Sequence, residues 1–194
     1  MKKGTIIILA IVGVLLLGIF YFFSVKNEAL RKNQAVNKEW GNVQTAYQRR
    51  NDLIGNLVNT VKGAADFEKS TLTAVVEARS QATQVKVDPT NLTAQQLSAF
   101  NSAQANLSGS LSRLLVSVER YPELKANANF LKLQDELSST ENQILTARTR
   151  FNEAVQAYNG YVLAAPQSLF LGGYAEKPYF ESVAGADKPV EVKF

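Results

Sequence analysis

Three carboxylates, Asp135, Glu136 and Glu141, stand close together in the stretch YPELKANANFLKLQDELSSTENQ, residues 121–143. Two carboxylates in a cleft with separated proton affinities make a general acid and base, and carboxylates on facing helices can hold a hard cation. The rest of the composition narrows this chemistry sharply. The chain of 194 residues contains no His and no Cys, which removes imidazole bases, thiolate nucleophiles, disulfides and most zinc and iron sites. A di-iron bundle site needs Glu-x-x-His pairs that this sequence cannot supply. There is no EF-hand-like loop, no G-x-x-x-x-G-K-[ST], no G-x-G-x-x-G and no G-x-S-x-G. No catalytic, metal-binding or cofactor-binding residue is therefore assigned, no cofactor is expected, and the chain is read as a non-enzyme. The carboxylates themselves are read as a solvated helix face, because helix surfaces are normally charged.

The elements that position them follow from the spacing of apolar residues. From Phe130 the steps of three and four run through Leu133, Leu137, Thr140, Ile144, Ala147, Phe151, Ala154, Tyr158 and Tyr161, so the carboxylates lie mostly off the seam of a long fourth helix. A first helix over 27–62 carries Val36, Trp40, Val43, Tyr47, Arg50, Ile54, Leu57 and Val61, with Gly63 as a stop. A second, over 66–86, opens at Asp66 and has a weaker pattern of Leu72, Val75, Val76, Arg79 and Ala82. After a turn at Asp88 and Pro89, Thr93 and Gln96 fit a capping box. The third seam then runs Leu97, Phe100, Gln104, Leu107, Leu111, Leu114, Val118 and Tyr121, with Pro122 ending it. Short connections near 63–65, 85–92 and 121–127 make sequential helices antiparallel neighbours. The fold expected is all-α, an antiparallel up-down-up-down four-helix bundle following a single N-terminal transmembrane helix.

That helix is read from TIIILAIVGVLLLGIFYFF, residues 5–23, a run without a charge that nearly spans a bilayer core. Tyr21, Phe22 and Phe23 suit an interfacial aromatic belt. The run is longer than a usual signal-peptide core and no small-x-small site follows it, which favours an uncleaved single-pass anchor. Lys2 and Lys3 precede it, while Lys26, Arg31, Lys32 and Lys38 follow. This count favours a cytoplasmic location for the long C-terminal portion. The formal net charge is +4, and about half of it belongs to Lys2 and Lys3; what remains is too dispersed to argue for nucleic acid. Residues 1–25 are thus taken as the anchor, 26–165 as the helical body and 166–194 as a tail whose last part, SVAGADKPVEVKF, is mobile.

Aligning the helices by length leads to two site expectations. Antiparallel register brings Arg50 level with Thr140 and Glu141, with Arg79 close by, as a buried polar layer. The alternative is that both arginines snorkel to solvent past the apolar seam. The fourth helix, read to Ala164 and stopped by Pro166, ends level with residue 25, the edge of the anchor. The residues after it, Leu169, Phe170, Leu171 and Tyr174, then either lie in the membrane interface or fold back over the lower core near Trp40 and Tyr47.

Three stretches carry a family resemblance: RRNDLIGNLVNTVKGAADFE at 49–68, YPELKANANFLKLQDELSSTENQILTARTRFNEAVQAYN at 121–159, and YFE at 179–181. Together they resemble the LemA family. The resemblance implies a bacterial protein with an N-terminal membrane segment and an antiparallel helical domain, located in the cell membrane, and it implies no activity. Family members usually carry Pro at the position of Gly55, an acidic residue at that of Ala128 and Tyr at that of Phe151. The leading functional reading is a membrane-tethered scaffold or adaptor that binds other envelope proteins. A second is a membrane-remodelling or assembly protein acting by self-association, which the resemblance allows through relatives linked to membrane organelles. A carboxylate enzyme is third, and it requires a cleft next to Glu136 or Glu141.

Overall fold

The computed structural model describes residues 3–63 and 67–180, so the expected cap at Asp66 and the expected mobile stretch 182–194 lie outside the described residues. The chain is all-helical with no strand among those residues. Its elements are α1 (Lys3–Lys62), α2 (Lys69–Gln84), α3 (Ala94–Val118), the single turn α4 (Pro122–Lys125), α5 (Ala128–Val162) and a 3₁₀ turn at Gln167–Leu169.

The apolar run and the first seam form one unbroken helix of 60 residues, about 90 Å long at 1.5 Å per residue. Nothing between Phe23 and Asn27 breaks it, since SVKN contains neither Gly nor Pro. Just beyond, Glu28 pairs with Arg31 at 3.6 Å and Lys32 at 3.5 Å, one helical turn away. The first half of α1 is long and apolar enough to cross a membrane, and no residue of its most apolar window is buried in the fold. From Val25 onward the helix is buried on one side, at Val36, Trp40, Val43, Tyr47, Arg50, Ile54, Leu57 and Val61 among others.

Helices α3 and α5 start where side chains supply caps. Thr93 and Gln96 form the reciprocal capping box, with the Gln96 amide donating to Thr93 Oγ1 at 3.2 Å and the Thr93 amide to Gln96 Oε1 at 3.1 Å. Asn127 caps α5 by accepting from the amides of Asn129 and Phe130. One expectation needs correcting at the end of α3. Helical geometry stops at Val118, and Pro122 instead begins α4, where its missing N–H costs nothing. The turn before α3 is closed by Asp88, whose carboxylate accepts from the amide and hydroxyl of Thr90. These bonds hold its pKa below the usual range.

Contacts fix the helix directions. Val25, Trp40 and Arg50 of α1 meet Tyr161, Phe151 and Glu141 of α5, so these two helices run in opposite directions. Trp40 and Arg50 also meet Phe100 and Ser108, so α3 runs parallel to α1. Two apolar clusters result. The lower one is built on Trp40, Phe100, Phe151, Val155 and Phe180, and the upper one on Ile54, Leu57, Leu107, Leu114 and Phe130.

Candidate functional site

Between those two clusters lies a polar layer centred on Arg50, which is only 3% exposed. Its Nη1 donates to Glu141 Oε1 at 3.1 Å and to Ser108 Oγ at 3.1 Å, and its Nη2 donates to Gln104 Oε1. The guanidinium also stands over the ring of Tyr47, 4.9 Å from the centroid. Burial pushes the Tyr47 phenol above its ordinary pKa, against the opposing pull of Arg148 and Arg50. Of the three nitrogens of this guanidinium, Nε alone is left without a partner. Glu141 reaches this layer from outside, with 51% of its side chain exposed.

Thr140 is fully buried at the same level, but its hydroxyl donates to the Glu136 carbonyl of its own helix at 2.8 Å rather than to Arg50. Arg79 lies close in height and on another face. Its Nε donates to the Asn51 carbonyl at 2.8 Å, its Nη2 stands 4.0 Å from Asp52, and its guanidinium crosses Gly55, where a Cβ would lie 3.1 Å from it. Arg50, Thr140 and Glu141 are therefore brought together, whereas Arg79 braces α2 against α1 from outside. Spacing alone did not single out Gln104 and Ser108, although Gln104 is the polar break in the third seam just as Arg50 is in the first.

A second construction, unforeseen from periodicity, holds residues 175–180 as an extended strap along α5. Asn159 grips Lys177 reciprocally: its Nδ2 donates to the Lys177 carbonyl at 2.8 Å and its Oδ1 accepts from the Lys177 amide at 2.9 Å. Seven residues earlier Asn152 grips Phe180 the same way, at 3.0 and 2.9 Å. Two amide side chains thus stand in for the neighbouring strand of a sheet and satisfy backbone groups that would otherwise be stranded on burial. Tyr158 adds a bond from its hydroxyl to the Ala175 carbonyl. Phe180 stacks on Trp40, with centroids 5.9 Å apart and planes 15° from parallel. Lys177 is buried. Its ammonium donates to the Pro89 carbonyl at 2.9 Å and faces the Tyr158 ring, tying the strap to the α2–α3 turn. Burial depresses its pKa, with Asp88 pulling the other way. The readable signal was the pair of heptad-spaced asparagines on α5, facing a segment in which Pro178 disfavours a helix running through it.

The segment linking α5 to the strap divides the four tail residues. Leu171 is buried in the lower cluster and Tyr174 packs against it. Phe170 instead sets its ring edge-on to Tyr21 and Phe22, at 5.8 and 6.1 Å, and Leu169 is 80% exposed.

A shallow groove of about 620 Å³ between α1 and α5 is lined by Asp52 and Glu136, with Gln48, Arg49 and Asn56. Gln48 Nε2 donates to Asp52 at 3.0 Å. No group of three or more acidic side chains that could hold a metal ion occurs among the described residues.

Residues 39–194 match the sequence model of the LemA family. The chain is 27% identical over 151 residues to Protein LemA of Metamycoplasma hominis, covering 77% of this chain and 65% of that protein. It is 25% identical over 168 residues to Magnetosome protein MamQ 2 of Paramagnetospirillum magneticum, covering 77% and 62%. To Magnetosome protein MamQ of Magnetospirillum gryphiswaldense it is 24% identical over 168 residues, with the same coverage. The chain thus spans a little under two-thirds of the length of these relatives.

Proposed function

The chain belongs to the LemA family, and on that premise we propose that it is a membrane-anchored, non-enzymatic scaffold or adaptor. In this reading the helices form an up-down-up-down four-helix bundle. The bundle is held at the bacterial cell membrane by a single pass, with its long portion on the cytoplasmic side, and its outer faces bind other envelope proteins. One observation carries the proposal: the helix that is exposed and apolar through its first two dozen residues is the same helix that forms the central wall of the body. A partner bound to the body is thereby joined to the apolar segment by continuous helix, with no flexible linker between them.

The polar layer supports a structural role, since Arg50 spends its donors on neighbouring helices. A buried arginine held by polar groups of neighbouring helices fixes register more than it adds stability, and we assign it that part here. Photo-crosslinking residues placed at Val116, Leu145 and Val76, which are apolar and exposed on three different helices, test the proposal in cells. Recurrent capture of one envelope protein from a single face supports it. Capture no greater than that from the anchor helix alone overturns it.

Relatives named as magnetosome proteins favour a second reading, an assembly protein acting by self-association. In that case the same crosslinkers capture mainly other copies of this chain, and the detergent-solubilised protein is larger than a monomer.

A further inference from the structure

We propose that Leu169 and Phe170 form a second membrane contact, a foot that enters the headgroup region of the bilayer crossed by α1. The inference rests on the reading of residues 5–23 as a membrane span and adds a site to it. The argument begins with depth. Burial of α1 begins at Val25, and the Tyr161 hydroxyl near the end of α5 reaches the Val25 carbonyl at 3.4 Å. The base of the helical body is therefore level with the end of the apolar run. Whatever continues past α5 in the same direction descends beside the run itself. Phe170 does so, because its ring meets Tyr21 and Phe22, which lie inside the last turn of the run. At 1.5 Å per residue those two positions sit within about 3 Å of its end.

Chemistry agrees with depth. From Leu163 to Ala175 the sequence LAAPQSLFLGGYA has no charged residue. Leu163, Leu169 and Phe170 are all exposed on this end, next to the exposed Phe20, Tyr21 and Phe23. Lys26, whose ammonium stands 4.7 Å from the Phe22 ring centroid, supplies a cation at the height where lipid phosphates lie. A solvated loop would leave this apolar patch in water, whereas the interface of the same membrane covers it without any further partner. The occupant is therefore the phospholipid headgroup and upper acyl region, continuous with the surface that already surrounds α1.

The natural chain has no cysteine, so single labels report without background. Leu169→Cys, Leu16→Cys and Leu145→Cys in the full chain would each carry an environment-sensitive fluorophore. The proteins would be reconstituted into vesicles of phosphatidylcholine and phosphatidylglycerol, with quenchers placed either near the headgroup or at the bilayer centre. Leu16 should be quenched from the centre and Leu145, midway along α5 and about 24 Å from the level of Tyr161, by neither. Leu169 should be quenched preferentially from the headgroup position, at least about twofold more than Leu145, the depth expected of an interfacial apolar contact. Unchanged Trp40 emission in each labelled protein shows the body intact. Quenching at Leu16 with Leu169 no different from Leu145 overturns the foot alone. Loss of quenching at Leu16 overturns the span, and the foot with it.

Discussion

Arg50 sets a positive charge between two apolar clusters, and its neighbours contribute unequally to keeping it there. Glu141 supplies the opposite charge but is half in water, so Glu141→Ala should cost about 1 to 2 kcal/mol, between an exposed and a fully buried pair. Gln104 carries no charge yet is buried. Gln104→Leu strands a guanidinium donor and should cost about 2 to 3 kcal/mol. Denaturant melts of the full chain in detergent micelles check that order; a larger loss for Glu141→Ala would mean that charge rather than desolvation governs the layer. Titration offers a further check at this scale. Burial raises the pKa of Tyr47 and Tyr158 above 10.0 in the folded state, so the folded chain holds these protons longer than the unfolded one. Their stabilising contribution should be whole below pH 10.0 and fall as the pH climbs through that value toward the folded pKa, read as a declining melting temperature. The sequence made the Arg50–Glu141 encounter legible because both helices have near-uniform rise and the register follows from their ends. It did not separate Arg79 from the layer, since height along a bundle is readable from residue counts while azimuth depends on packing against a weakly patterned α2. Gly55 made the difference there by leaving room for the Arg79 guanidinium on the outer face.

At the scale of elements, the buried faces of α3, α5 and the part of α1 beyond residue 27 were legible in the sequence, because a strict seam of threes and fours admits only one buried face. The strap was not, since a segment of six residues in which only Lys177 and Phe180 are buried leaves no period to count. Its cost of removal can nevertheless be stated. Asn159→Ala strands the buried amide and carbonyl of Lys177 and should cost about 1 to 3 kcal/mol, and Asn152→Ala, at a half-buried pair, about 1 kcal/mol. The only tryptophan of the chain reports both. Trp40 stacks on Phe180, so strap detachment should shift its emission to the red at denaturant concentrations below the global transition. A single transition for all these variants would mean that the strap and the helices are one cooperative unit. Lys177 adds a pH signature. Its folded pKa is lowered from 10.5 by burial, so the charged ammonium penalises the bound strap at neutral pH. That penalty should fade as the pH rises through the folded pKa toward 10.5, tightening the strap. Lys177→Met should abolish the change.

For the molecule as a whole, a helix long and apolar enough to cross a membrane was legible at once in the apolar run, while the continuity of α1 through residue 25 was not, because the composition changes there from apolar to polar. The orientation expected from the Lys and Arg counts makes a direct prediction. Cysteine introduced at Leu145 should react with a membrane-impermeant maleimide only after cells are opened, and reaction in intact cells would reverse the topology. The unbroken α1 also has a mechanical consequence. With residues 5–23 in the bilayer as proposed, the part of it beyond the membrane, from Val25 to Lys62, is about 57 Å long, so a tilt of about 20°, ordinary for a helix in a membrane, carries its upper end sideways by about 20 Å. A bilayer that thins or thickens changes that tilt, and the body swings as the arm of a lever whose fulcrum is the lipid surface. Small adjustments in the hydrocarbon are thereby amplified into large displacements of whatever the far end of the protein holds.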